Sequence, residues 1–276
     1  MQNPSRVDET LRIVSARTTE RIARRWGRYF PMWIGCGYPK SGTVWLCKLL
    51  SNYLGVPYPQ NYRLPIAMSS VIHAHWGYHE RLPPTAYIYR DGRDVMVSLY
   101  FHQMRELASR RNPGNAARTQ ERMQHLFGAG FDPNDVRGNL PRFIDHEFTE
   151  QRHGYGTWSD HVVDWCLPTR PNVAYVSYEA LTREPESTFA ELISTLTQSP
   201  ASPEKVRLAL EREDFSLVSG RARGSEDRSS FLRKGTAGAW RSHFDRAAAE
   251  VFDHHAGDAL VTLGYAEPGW SRTVGT

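Results

Sequence analysis

Short apolar runs alternate along this chain with stretches in which apolar positions recur every three or four residues. Trp33-Ile34-Gly35-Cys36, Val71-Ile72, Ala86-Tyr87-Ile88-Tyr89 and Val173-Ala174-Tyr175-Val176 are short, apolar and rich in β-branched or aromatic residues, and they predict strands. After the first run, Trp45, Leu46, Leu49, Leu50 and Leu54 fall at helical spacing until Gly55 and Pro57 end the pattern. Val95 to Leu99 continues the third run into another helix, and a Glu-rich helix start follows the fourth. Strands separated by helices predict parallel βαβ units in a sheet covered on both faces. The expected fold class is therefore α/β, with a central parallel sheet flanked by helices in a single domain over residues 1–276. Neither an internal repeat nor a low-complexity tract interrupts it.

Three segments depart from this rhythm. Residues 1–30 form a basic leader in which Arg6, Arg12, Arg17, Arg21, Arg24, Arg25 and Arg28 recur. Leu11, Val14, Thr18, Ile22 and Trp26 stand three or four apart there, which predicts a helix laid on the domain by that face rather than a membrane or nucleic-acid arm. Residues 106–154 are polar, poor in β-branched residues and interrupted by Pro113, Pro133 and Pro141, as a lid or substrate loop would be. Residues 218–238 have the same look, with a basic pair at Arg233-Lys234, and suit a loop that closes over an anion.

Composition narrows the classes. Hydrophobic residues make up 40% and charged residues 23% of 276, the balance of an ordinary globular protein. The net charge of +4 favours anionic ligands mildly and is too small to mark a nucleic-acid binder. No apolar run approaches bilayer length, and Met1-Gln2-Asn3-Pro4 lacks the apolar core of a secretory signal. Cys36, Cys47 and Cys166 are too few and too irregular for a disulfide framework or a zinc site, so a reducing cytoplasm is the expected setting.

The candidate chemistry begins at Gly37-Tyr38-Pro39-Lys40-Ser41-Gly42-Thr43-Val44-Trp45, which follows a strand and opens a helix. That arrangement aims backbone N–H groups and the positive end of a helix dipole at a phosphate. It nearly spells a nucleotide P-loop, but Thr43-Val44 stands where a P-loop has Lys then Ser/Thr, and the lysine has moved to Lys40. The hydroxyl that would hold Mg²⁺ is missing from its usual place, so the loop suits an anion handled without a metal. A second segment, Tyr89-Arg90-Asp91-Gly92-Arg93-Asp94, places an arginine at a strand end and Ser98 two turns into the next helix, where both can converge on one phosphate. A third, Phe231-Leu232-Arg233-Lys234-Gly235-Thr236-Ala237-Gly238-Ala239-Trp240, sets two cations among glycines that allow close backbone approach.

Taken together, these segments resemble the signature of sulfotransferases of the cytosolic type, which use 3′-phosphoadenosine-5′-phosphosulfate (PAPS) and release 3′,5′-adenosine bisphosphate (PAP). The resemblance implies a P-loop-kinase-like sulfotransferase fold with no metal. It implies that Lys40 contacts the bridging oxygen as the S–O bond breaks, that Ser41, Gly42, Thr43 and Val44 bind the 5′-phosphate, and that Trp45 stacks on adenine. The family usually has a second threonine where this chain has Val44. Arg90, Ser98, Arg233, Lys234 and Gly235 match the positions that grip the 3′-phosphate. Tyr178 stands where the family contacts adenine, and Phe215 holds the second stacking position. Tyr155 to Val162 resembles the helix start that follows the acceptor lid.

The base follows from the same resemblance. The family carries Lys-x-His before the 3′-phosphate strand, and here the stretch reads His73-Ala74-His75, which makes His75 the general base and puts His73 in place of the lysine. An imidazole titrates near neutrality, as proton abstraction requires. A metal held by His73, His75 and His79 is the competing reading of that spacing. The implied acceptor is a small molecule bearing a hydroxyl or amine; Tyr62, Met68, Trp76, Tyr78, Tyr100 and Phe101 are candidates for an aromatic or apolar pocket wall. A small-molecule kinase on the same fold and a non-catalytic nucleotide-binding protein are the alternative functions. The short carboxy-terminal dimerisation signature of the family is not evident in residues 241–246, and oligomeric state stays open.

Overall fold

The computed structural model describes residues 4–60, 69–108, 113–128, 130–150, 154–167, 170–222, 224–225, 227 and 236–275. Strands stand where the short apolar runs predict them: β1 Met32–Cys36, β2 Ser70–Ala74, β3 Thr85–Tyr89 and β4 Val173–Ser177. They pair in parallel, in the order β2-β1-β3-β4. Because the chain leaves β1 for β2 on one side while β3 lies on the other, the loop after β1 opens at the switch point of the sheet, where α/β folds bind ligands. The helices are α1 Pro4–Trp26, α2 Thr43–Leu54, α3 Gly92–Leu107, α4 Pro113–Phe127, α5 Val136–Thr149, α6 Trp158–Cys166, α7 Tyr178–Arg183, α8 Pro185–Thr197, α9 Pro203–Arg212, α10 Phe215–Ser219 and α11 Arg246–Thr262.

The chain divides into two compact units. The first comprises Met1–Tyr89 with Asp164–Val218 and holds the whole sheet. Alternate strand residues serve opposite faces, as the pleat requires. Val71, Ala86 and Ile88 meet α2 and α8 through Leu46, Leu50 and Phe189. Ile34, Ile72 and Tyr87 turn the other way, toward Ala23 of α1 and Trp165, where Tyr87 and Trp165 stack with ring centroids 4.8 Å apart.

The leader is helical, but of the face its apolar residues predict only Ile22 packs against the core. Leu11, Val14 and Trp26 are 61%, 54% and 48% exposed, whereas Ser15, Thr19 and Ala23 form the buried row. Small side chains at i, i+4 spacing let a helix approach its neighbour closely, and the Thr19 hydroxyl satisfies itself on the Ser15 carbonyl at 2.8 Å.

The second unit comprises Arg90–Val163 with Ser219–Thr276. Most of the stretch expected to be a polar lid is helix. α5 buries Leu140, Phe143, Ile144 and Phe148 along α11, with Pro141 inside the helix. Its apolar stripe runs through arginine, asparagine and histidine and past a proline, so the helical period is hard to see in the sequence. Thr157 and Asp160 open α6 as a reciprocal cap, each accepting the other's backbone N–H, at 3.1 and 3.2 Å.

Arg93 ties this unit together. It is bidentate to Asp91 through Nε at 2.9 Å and Nη2 at 2.7 Å, and Nη2 also donates to the Tyr265 carbonyl at 2.8 Å. Its guanidinium stacks 3.9 Å from the Trp240 centroid and 4.6 Å from that of Trp270. Asp91 in turn caps α3 by accepting from the Arg93 amide at 2.9 Å. Arg93→Ala leaves that carboxylate buried without its cation, and should cost about 3–5 kcal/mol of stability, read as a lower urea midpoint. A loss below about 1 kcal/mol would show that the aromatic pair holds the unit without the charge.

Candidate active site

At the end of β1 the chain must turn into α2 beside the backbone of β3. A Cβ at Gly37 would overlap the Ile88 carbonyl oxygen and stand 3.0 Å from Thr43 Oγ1. Gly42, the N-cap, has φ 100°, and a Cβ there would sit 2.8 Å from the Tyr178 ring. Lys40 between them takes φ 70°, a left-handed conformation unusual for a residue with a side chain and typical of functional loops. The Ser41 N–H closes the turn on the Tyr38 carbonyl at 3.1 Å, and the first helical bond runs from Leu46 N–H to the Gly42 carbonyl at 3.0 Å.

The amides of Thr43, Val44 and Trp45 therefore open the helix without intrahelical acceptors, and Gly42 supplies no capping side chain. The hydroxyls of Ser41 and Thr43 are buried with no hydrogen-bond partner among the described residues. Leaving a buried hydroxyl unsatisfied is costly, and aligned amides carry positive potential. Both features fit a tetrahedral anion seated in the loop.

β2 brings the histidines alongside. Its register sets His73 opposite Gly35, and His75, one residue past the strand, lies 2.5 Å from the Gly37 carbonyl through Nδ1. A carbonyl can only accept, so Nδ1 donates this bond, and in the neutral ring the lone pair is then on Nε2. His73 meets His75 edge to face, with centroids 4.6 Å apart. Burial first, and the neighbouring imidazole second, push the His73 pKa down to about 3. It is neutral near pH 7 and cannot supply the positive charge that lysine gives at the matching family position. Among the described residues no group of three or more His, Cys, Asp or Glu gathers as metal ligands would.

The backbone beyond His75 is held by side chains. The Trp76 carbonyl accepts from Trp165 Nε1 at 2.8 Å, and that of Gly77 accepts from Arg24 at 3.3 Å. The Tyr78 amide donates to Asp164 at 2.8 Å. The adenine candidates lie in the same unit. Trp45 and Tyr178 meet edge to face at 5.9 Å, with the Tyr178 ring against Gly42 as above. Phe215 is buried at the start of α10, two residues after Glu213, which Lys48 and Asn52 of α2 bind at 3.1 and 3.2 Å.

The second unit holds the other candidates. Arg90 is buried, donating to the Thr236 carbonyl at 3.1 Å and lying 3.5 Å from Asp94. Ser98 is half-buried on α3, one turn beyond Asp94. Arg233, Lys234 and Gly235 lie outside the described residues. Of the expected pocket wall, Tyr62 and Met68 also lie outside them. Tyr78 stacks under Arg170 at 4.1 Å, while Tyr100 is buried against Phe143.

A family described as a sulfotransferase domain matches residues 85–264. The chain belongs to that family. The sulfotransferase is 23% identical over 261 residues to human sulfotransferase 1C2, covering 79% of each chain. It is 26% identical over 253 residues to the 3-alpha-hydroxysteroid sulfotransferase of Cavia porcellus, covering 78% of this chain and 79% of the relative. Among solved structures it resembles mouse sulfotransferase SULT7A1 complexed with PAP, with a TM-score of 0.58 and 19% identity over 88% of this chain and 87% of that one. A retinol dehydratase in complex with retinol and PAP gives a TM-score of 0.59 at 17% identity over 91% of this chain and 88% of that one. The α/β sulfotransferase fold expected from the sequence is the fold found, and sulfuryl transfer is the reaction of this enzyme.

Sequence reasoning missed the residues that hold the candidates in place: Asp94, Glu213, Trp165 and Asp164. Each acts through a partner remote in the chain, and the only local sign was the dense alternation of charge in Arg90-Asp91-Gly92-Arg93-Asp94.

The orphan hydroxyls yield a test in which stability and binding move in opposite directions. Ser41→Ala and Thr43→Val should leave the thermal midpoint of the free sulfotransferase unchanged or raised, while affinity for 5′-AMP falls about tenfold by calorimetry. Loss of stability in both variants would mark the hydroxyls as structural.

His73 gives a second test. Its unfolded pKa is near 6.5 and its folded value about 3. Below pH 6.5 the unfolded chain takes up a proton that the fold refuses, so this contribution is complete above 6.5 and is lost as pH falls toward 3. His73→Asn should flatten the acid limb of stability in urea titrations. Parallel limbs in parent and variant would assign the acid sensitivity elsewhere.

Proposed function

We propose that the chain moves the sulfuryl group of PAPS to a hydroxyl or amine of a small acceptor and releases PAP, with His75 as general base. The observation that carries the reading is the His75–Gly37 hydrogen bond. It leaves Nε2 able to accept a proton and joins the base to the anion loop itself. His75 takes the acceptor proton at Nε2 as the acceptor oxygen forms its bond to sulfur. The sulfur–oxygen bond to the 5′-phosphate breaks, and Lys40 stabilises the charge left on that oxygen. Ser41, Gly42, Thr43 and Val44 hold the 5′-phosphate through amides and hydroxyls. Trp45 and Phe215, with Tyr178, bind the adenine. Arg90, Ser98, Arg233, Lys234 and Gly235 hold the 3′-phosphate.

The names of relatives support the rest of the reading. Mouse SULT7A1 and the retinol dehydratase were solved with PAP, and a Cavia porcellus relative is a hydroxysteroid sulfotransferase. An apolar or aromatic acceptor suits that company and the aromatic side chains Trp76 and Tyr78. Three unpaired cysteines fit a reducing cytoplasm.

His75→Ala should leave PAP affinity nearly intact and lower kcat by about a hundredfold to ten-thousandfold. The acid limb of the rate profile should vanish with the imidazole, and a more acidic phenol should recover part of the rate. If His75→Ala keeps parental kcat while His73→Ala is inactive, His73 is the base and this assignment fails.

A further inference from the structure

Asp94 stands in none of the roles above, yet its carboxylate joins three separate partners in the second unit. Its side chain is fully buried. Oδ1 accepts from the Trp240 amide at 2.8 Å, and Oδ2 accepts from the Gly238 amide at 2.7 Å. The same Oδ2 lies 3.5 Å from Arg90 Nη2, and Arg90 reaches the Thr236 carbonyl at 3.1 Å. One carboxylate at the first turn of α3 thus fastens residues 238 and 240, and its arginine partner fastens the same segment at Thr236, two residues before Gly238.

The placement has a chemical consequence. Gly238 takes φ 75°, so the chain reverses at the point where Asp94 holds its amide. Residues 233–235 immediately precede this anchor. A buried carboxylate would repel a phosphate if it faced one directly, so Asp94 is not a phosphate ligand. We infer that Asp94 is a positioning residue for the donor's 3′-phosphate: it sets the rotamer of Arg90 and fastens residues 238–240 beside it. The inference rests on the proposed 3′-phosphate assignment.

Charge and position make opposite demands on a substitution here. Asp94→Asn removes a negative charge near an anion, which by electrostatics alone tightens binding. It also offers the Gly238 and Trp240 amides a side chain with one acceptor oxygen in place of two, which loosens the anchor. Asp94→Glu keeps the charge and displaces it. The experiment measures binding of PAP and of 5′-AMP to the parent and both variants by calorimetry, with thermal melts alongside. Position predicts that both variants lose about 10- to 100-fold in PAP affinity while 5′-AMP changes by less than about threefold. Unchanged or tighter PAP binding in Asp94→Asn, or wild-type behaviour in Asp94→Glu, overturns the inference. So does an equal loss for both ligands, which marks Asp94 as structural only. A parent that fails to distinguish PAP from 5′-AMP removes the 3′-phosphate assignment itself, a separate result from any variant effect. In the ligand-free parent, amide exchange tests the anchor directly: the Gly238 and Trp240 amides should be protected as well as the α3 interior, and rapid exchange of both overturns it.

Discussion

The arrangement of the anion loop follows from one steric constraint: β1 has to become α2 within six residues while running beside the β3 backbone. No side chain fits at Gly37, because the Ile88 carbonyl occupies its place, and the helix must start on a left-handed glycine under the Tyr178 ring. A helix opened by glycine has no side-chain cap. Its first amides, the buried hydroxyls of Ser41 and Thr43, and Lys40 are thereby gathered at the end of the central strand. The same tight turn presents the Gly37 carbonyl to His75, so the geometry that makes the cradle also fixes the tautomer of the base.

Two imidazoles two residues apart are given different chemistry by their surroundings. His73 lies within β2 and is buried enough that protonation is driven far into the acid range. His75 lies just beyond the strand and spends its one N–H on a carbonyl. Burial removes the first from acid–base work near neutrality, and a single hydrogen bond prepares the second for it. The fastening of residues 76–78 by Trp165, Arg24 and Asp164 keeps the ring where that bond forms.

Two arginines three residues apart show the same division. Arg93 is spent on architecture, with its charge paired to Asp91 and its guanidinium against the rings of Trp240 and Trp270. Arg90 is held by Asp94 and the Thr236 carbonyl. Both are buried, and burial alone does not separate them. What separates them is the kind of partner: Arg93 engages a bidentate carboxylate, a carbonyl and two indoles, whereas Arg90 meets the carboxylate that also holds the amides of Gly238 and Trp240.

The sequence by itself determined the parallel sheet, the positions of its strands and the anion loop. These are local matters: a run of apolar residues too short for a helix, or a lysine, a serine and two glycines between a strand and a helix, can be read without knowing what lies across from them. Even the departure from a P-loop at Thr43-Val44 is written in adjacent residues. The face by which α1 packs, the helical course of α5, the state of His73 and the work of Asp94 were decided only by tertiary structure. Leu11 and Val14 had the right period for a packed face, but close approach selected the smaller row Ser15, Thr19 and Ala23. Asp94 reads as one more charge on a polar helix start until residues 238 and 240 are brought to it across more than a hundred positions of chain. Desolvation and long-range hydrogen bonding are properties of what surrounds a residue, and the order of residues along the chain does not contain them.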